Sequence, residues 1–127
     1  MIKDRINDLL NNIIEDENDP TRRHFRCWID GGYNGEDSYR KNFERVEKAN
    51  TLSKLRSFTI EQFTCFIAFE SGCSYGYAQE NIVKYFSKDQ LNALTYELME
   101  EIEEMFISFF PDSNRAPVTE AGENALV

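Results

Sequence analysis

The 127-residue chain reads as all-α, a single-domain bundle of five or six helices with a long acidic amphipathic helix near the C-terminus. Three observations predict this. Apolar residues recur at steps of three and four through most of the first 110 residues, the period of a helix with one buried face. No segment alternates apolar and polar residues for long enough to make a strand. Helix-start and helix-stop residues stand at the ends of the periodic runs. The length suits one core, so residues 1–110 are assigned to one helical domain and 111–127 to a flexible tail.

Ile2, Ile6, Leu9, Leu10, Ile13 and Ile14 define a first helix over about 2–16, closed by Asn18-Asp19-Pro20. Asp19 before Pro20 suits the start of a short second helix through PTRRHFRCWID, with proline at its first position. The loop DGGYNGEDS follows, and Tyr39, Phe43 and Val46 then mark a third helix over about 37–49. Leu52 and Leu55 continue the apolar spacing past Asn50. Thr59-Ile-Glu-Gln62 has the form of a capping box and is expected to open a fourth helix. Ile60, Phe63, Phe66 and Ile67 form its inner face, and Gly72 provides a left-handed stop. Ala78, Ile82, Val83 and Phe86 mark a fifth helix over about 75–86. Ser87-Lys-Asp-Gln90 is a second capping box. It opens a helix of about 22 residues, with Leu91, Leu94, Leu98, Ile102, Met105, Phe106 and Phe109 on one side, ended by Pro111. The remainder, PDSNRAPVTEAGENALV, has no periodicity and reads as a disordered tail.

A hydrophobic fraction of 41%, with ten Phe and six Tyr, supplies a core despite the net charge of −9. No apolar run approaches the roughly 20 residues that span a bilayer, and MIKDRINDLL starts with charges rather than a signal segment. Three cysteines make an odd count that fits reduced thiols, so a cytoplasmic protein without membrane contact is expected. The charge is segregated: residues 1–20 carry net −4, residues 21–58 net +4 and residues 59–127 net −9. An acidic whole argues against direct nucleic-acid binding, which depends on cations at phosphates.

Several motifs weaken on inspection. DGGYNGEDS offers Asp30, Asn34 and Gly35 at calcium-loop positions, but Lys41 stands where a bidentate Glu should close the shell. Two acids after its last glycine, and no GxxxxGK[ST], speak against a phosphate loop. His24 and Cys27, with the distant Cys65 and Cys73, lack the close cysteine spacing of a zinc site, and no third group is evident to orient a Cys–His pair. The segment 59–86 imitates a helix-turn-helix, yet its second helix, YGYAQENIVKYF, carries no arginine and a single lysine. No metal site, cofactor or catalytic constellation is expected, and the chain is not read as an enzyme.

Two surface features remain. Arg22, Arg23 and Arg26 with Phe25 and Trp28 form a basic-aromatic segment suited to an anionic partner. The competing account turns Phe25, Trp28 and Ile29 inward and pairs the arginines with the chain's own acids. In LTYELMEEIEEMF, Glu97, Glu100, Glu101, Glu103 and Glu104 lie opposite the apolar stripe, and no Lys or Arg occurs from Asp89 to Phe110. Asp4, Asp8 and Glu15 repeat on one side of the first helix. Acidic ridges of this kind are suited to imitating a nucleic-acid backbone; the competing accounts are neutralisation by the basic stretch from Arg22 to Arg56 and a plain solubility surface. The expected function is that of a small non-enzymatic protein that binds and inhibits a partner protein with a basic surface. An inhibitor of a nucleic-acid-acting enzyme, of the type phages and mobile elements carry, fits this best. An immunity or antitoxin protein that neutralises a basic toxin needs the same physics. A small metal-binding regulator built on His24 and the cysteines is the third alternative. The residues expected to meet the partner are Glu97, Glu100, Glu101, Glu104, Asp4, Asp8 and Glu15, with Arg22, Arg23, Arg26 and Trp28 as a secondary patch.

Overall fold

A computed structural model describes residues 1–15, 20–31, 38–113 and 117–119. Among them are six helices and no strand: α1 (Ile2–Glu15), α2 (Pro20–Ile29), α3 (Ser38–Lys48), α4 (Leu52–Ser71), α5 (Tyr75–Tyr85) and α6 (Lys88–Phe109). Proline opens α2, as its fixed φ and missing N–H favour. The preceding Asp19, expected as the cap, lies outside the described residues.

The fourth helix begins eight residues before the expected start. Thr51 is its N-cap, with extended backbone and a hydroxyl that accepts the Lys54 N–H at 3.2 Å. Leu52 and Leu55 therefore belong to α4 rather than to an extension of the third helix. Thr59 and Gln62 lie inside α4 and make no capping box. The Thr59 hydroxyl donates to the Leu55 carbonyl at 2.8 Å, the usual back-bond of a mid-helix threonine. Gln62 Oε1 instead accepts the Trp28 indole N–H at 3.0 Å. Extending an existing helix adds a bond per residue, whereas a second nucleation is costly, so the earlier cap takes the whole run.

The stop at Gly72 has φ 68, and the two bonds of a Schellman turn close it: Gly72 N–H to Phe69 O at 3.2 Å and Cys73 N–H to Ala68 O at 3.0 Å. Ser74 then caps α5 through the Tyr77 N–H. The box at Ser87 forms in both directions, with the Gln90 N–H donating to Ser87 Oγ at 3.2 Å and the Ser87 N–H to Gln90 Oε1 at 3.0 Å.

Helix α4 is the centre of the bundle and touches each of the other five helices. α1 packs mainly on α5, α4 and α2, whereas α6 packs on α4, α3 and α2. Their apolar faces merge into one core that includes Ile6, Leu10, Phe25, Ile29, Phe43, Leu55, Phe66, Ile67, Met99 and Ile102. Phe25 meets Phe66 edge-on at 5.6 Å and Trp28 meets it at 6.3 Å, the tilted contacts that aromatic rings favour. Asn42 donates to the Ile29 carbonyl at 3.2 Å, satisfying an end of α2 from α3. No described helix is long and apolar enough to cross a membrane.

Candidate functional site

Helix α6 carries the acidic ridge. Positions 97, 100, 101 and 104 are separated by three and four residues and so share one face, about 5–6 Å apart at Cβ. Glu97, Glu100 and Glu104 are exposed and Glu101 is half-buried. The 97/101 and 100/104 pairs are like charges one turn apart, and no basic residue stands in the last turn of the helix.

Glu103 does not belong to this ridge, contrary to its expected place beside the other glutamates. It is 3% exposed, and both of its carboxylate oxygens accept the Val118 N–H, at 2.9 and 3.0 Å. The geometry has a plain cause. Residues 118 and 119 are helical, and the first amide of a helical turn has no partner of its own. A carboxylate placed there accepts the amide and complements the positive end of the peptide dipoles. One position along, the Tyr96 hydroxyl donates to the Thr119 carbonyl at 2.9 Å, while Thr119 is buried and Val118 packs against the core. Part of the segment expected to be a flexible tail is thus seated on the flank of α6. The aperiodic sequence after Pro111 gave no sign of this seat, and neither Tyr96 nor Val118 is singled out by spacing.

Beyond the glutamates the surface becomes apolar. Ile107, Phe109 and Phe110 are exposed at the end of α6, where Phe109 and Phe110 lie 5.4 and 5.8 Å from the buried Phe43 ring. A groove of 360 Å³ runs between α2 and α6, lined by Arg26, Cys27, Asp30, Glu104, Met105, Ser108 and Phe109. It brings one basic residue of the expected secondary patch beside one glutamate of the ridge.

The rest of that patch divides. Arg23 and Arg26 are exposed, and the Arg22 side chain lies outside the described residues. Trp28 is 7% exposed and is not a surface aromatic: its ring packs on Phe66 and its N–H reaches Gln62. Phe25 is buried as well, so the aromatic half of the segment is core. Other cations of the basic stretch face their own chain. Arg45 holds Glu61 with two contacts of 2.8 and 3.3 Å and covers the Phe58 ring at 4.9 Å, and Arg56 donates to Asn92 on α6.

Asp4 and Asp8 are exposed on α1, and the Glu15 side chain lies outside the described residues. α1 and α6 share α4 and α2 as neighbours, and neither is a principal neighbour of the other. His24 and Cys27 are exposed on α2, and Cys65 and Cys73 are half-buried. Burial pushes the Cys65 thiol pKa up, with the Glu61 charge adding to the effect and Arg45 opposing it. Burial also raises Cys73. Among the described residues no three His, Cys, Asp or Glu side chains come together to hold a metal ion. Of the glycine loop only Asp30, Gly31 and Ser38, the first residue of α3, are described, and the calcium and phosphate readings of that loop fall mostly outside the described residues. No protein family, curated protein or solved structure matches the chain.

Proposed function

We propose that this protein is a non-catalytic binding protein that captures a partner with a basic surface through the Glu97–Glu104 face of α6. The observation that carries the reading is the acidic ridge: Glu97, Glu100 and Glu104 exposed, Glu101 beside them, and no Lys or Arg along the helix after its first residue. Such a row opposes its own helix through like-charge repulsion, and a cationic partner relieves that repulsion on binding. Aligned carboxylates present a cationic cleft with a line of negative charge comparable to a phosphate backbone. The partner class that fits is therefore an enzyme or toxin that holds nucleic acid in a basic groove. Phe109 and Phe110 at the end of the ridge add rigid apolar anchors of the kind that dominate interface energetics. Occupying the groove would inhibit the partner, with association that is fast at low salt and slowed by screening.

The test is affinity capture with the full chain, comparing wild type with Glu97→Gln, Glu100→Gln, Glu101→Gln and Glu104→Gln combined. A partner retained by wild type at low salt and lost in the quadruple variant supports the reading. Undiminished capture by that variant refutes it. Asp4→Asn with Asp8→Asn tests the α1 acids separately, and loss in this pair alone would move the contact surface from α6 to α1.

A further inference from the structure

The seated segment 117–119 bears on the acidic face, and the inference drawn from it rests on the reading of α6 as the partner surface. Tyr96, Glu100 and Glu103 are spaced four and three residues apart, so they share one flank of the helix. On that flank Tyr96 and Glu103 hold the backbone of Thr119 and Val118, and the exposed Glu100 lies between them in sequence. We propose that residues 117–119 are a strap that withholds Glu103 from the acidic face, and that a cationic partner lifts the strap by competing for this carboxylate.

The chemistry favours exchange. Val118 of the strap offers Glu103 a neutral amide N–H, shared between two oxygens at 2.9 and 3.0 Å. A guanidinium offers two parallel N–H groups and a full charge to the same two oxygens, a stronger and better-matched pair. Once the strap lifts, Glu103 opens to water or to the partner, so no charge is left buried and unsatisfied in the open state. The capping geometry makes the closed state specific, because the acceptor sits where the first amide of the 118–119 turn emerges. Strap and partner are then mutually exclusive at Glu103, and each weakens the other by the same factor.

The experiment compares the full chain with Val118→Pro and Tyr96→Phe. Proline suits the first position of a helical turn and removes the N–H that Glu103 accepts, while Tyr96→Phe loosens the strap without touching the Val118 side chain that packs on the core. The probe is a fluorescein-labelled octa-arginine peptide, with binding followed by anisotropy at low salt. Trypsin cleavage after Arg115 reports independently whether the strap is seated. Both variants are expected to be cleaved several-fold faster than wild type. Both should bind octa-arginine about two- to five-fold more tightly, the worth of one added exposed ion pair. Adding Glu103→Gln to Val118→Pro should abolish the gain. Unchanged cleavage would show that these bonds do not hold the strap, and faster cleavage without tighter binding would show that it withholds nothing; either result overturns the proposal. A gain that survives Glu103→Gln overturns it as well. Absence of octa-arginine binding in every chain refutes the acidic face itself, and the strap's role with it.

Discussion

Trp28 and Gln62 show how a single residue changes its meaning between sequence and structure. Beside three arginines, the tryptophan has the makings of a surface platform. In the fold its indole is buried on Phe66 and donates to Gln62, a residue that itself looked like half of a capping box. Gln62→Leu would leave the indole N–H buried without that acceptor, and the expected loss in urea unfolding is about 1–3 kcal/mol. A change within about 0.5 kcal/mol would mean that the pair contributes no more than a surface contact. The thiols make a second prediction at this scale. With its pKa raised by burial, Cys65 keeps its proton in the native state at pH values where the unfolded chain has lost it. Its contribution to stability is complete below the ordinary thiol pKa of about 8.5 and declines as pH rises beyond that. Cys65→Ala should lose less stability than wild type between pH 8 and 10. Equal alkaline losses in the two chains would contradict the raised value.

At the scale of helices, the same four-letter signal appears twice with opposite outcomes. Ser87-x-x-Gln90 forms a reciprocal box because a helix has ended at Tyr85 and a new one must start. Thr59-x-x-Gln62 forms none because residues 52–58 are already helical behind Thr51. A local motif carries no information about whether the chain before it is free to be a cap, and so sequence places the start of α4 too late while it gives both ends of α6. Where apolar period, cap and stop agree, as from Ser87 to Pro111, sequence alone suffices. Thr51→Ala is expected to cost about 1 kcal/mol. Thr59→Val should cost markedly less, since the Leu55 carbonyl keeps its backbone donor. The reverse order in thermal melts would restore Thr59 as the cap. Gly72→Ala meets no steric obstacle, nothing standing within 4 Å of the added carbon, yet the left-handed φ alone should cost about 1–2 kcal/mol.

Across the whole molecule, charge and packing pull in different directions. The apolar spacing assigns most of the core, and Ile6, Phe43, Phe66 and Ile102 are buried where it places them, whereas Val83 and Phe109, assigned to the same apolar faces, are exposed. The acidic row was read less completely. Periodicity put Glu103 among its solvent-facing neighbours, and only the return of the chain fifteen residues later explains why it is buried. No window short enough to show helical period also contains Val118. If the ridge serves binding rather than folding, neutralising it should stabilise the free protein. Glu97, Glu100, Glu101 and Glu104 changed together to Gln remove two like-charge pairs, worth about 0.4–1 kcal/mol in sum. The gain should be measurable by thermal unfolding at low ionic strength and should shrink in high salt. A fall in stability at low salt would instead make the acids part of the scaffold.

The hub position of α4 also has a consequence for the order of events as the chain is made. Its helical hairpin with α5 and the following α6 are joined by short, capped turns, so most of their contacts are local and form quickly. α1 is in the opposite situation. It is synthesised first, yet its principal partners are α4 and α5, with α2 and α3 still to be translated in between. At ribosomal speeds of about 5–20 residues per second, the stripe of Ile6, Leu9, Leu10 and Ile13 therefore waits some seconds before its berth exists. The charged residues of that helix, Asp4 and Asp8 with Lys3 and Arg5, keep the waiting segment hydrated.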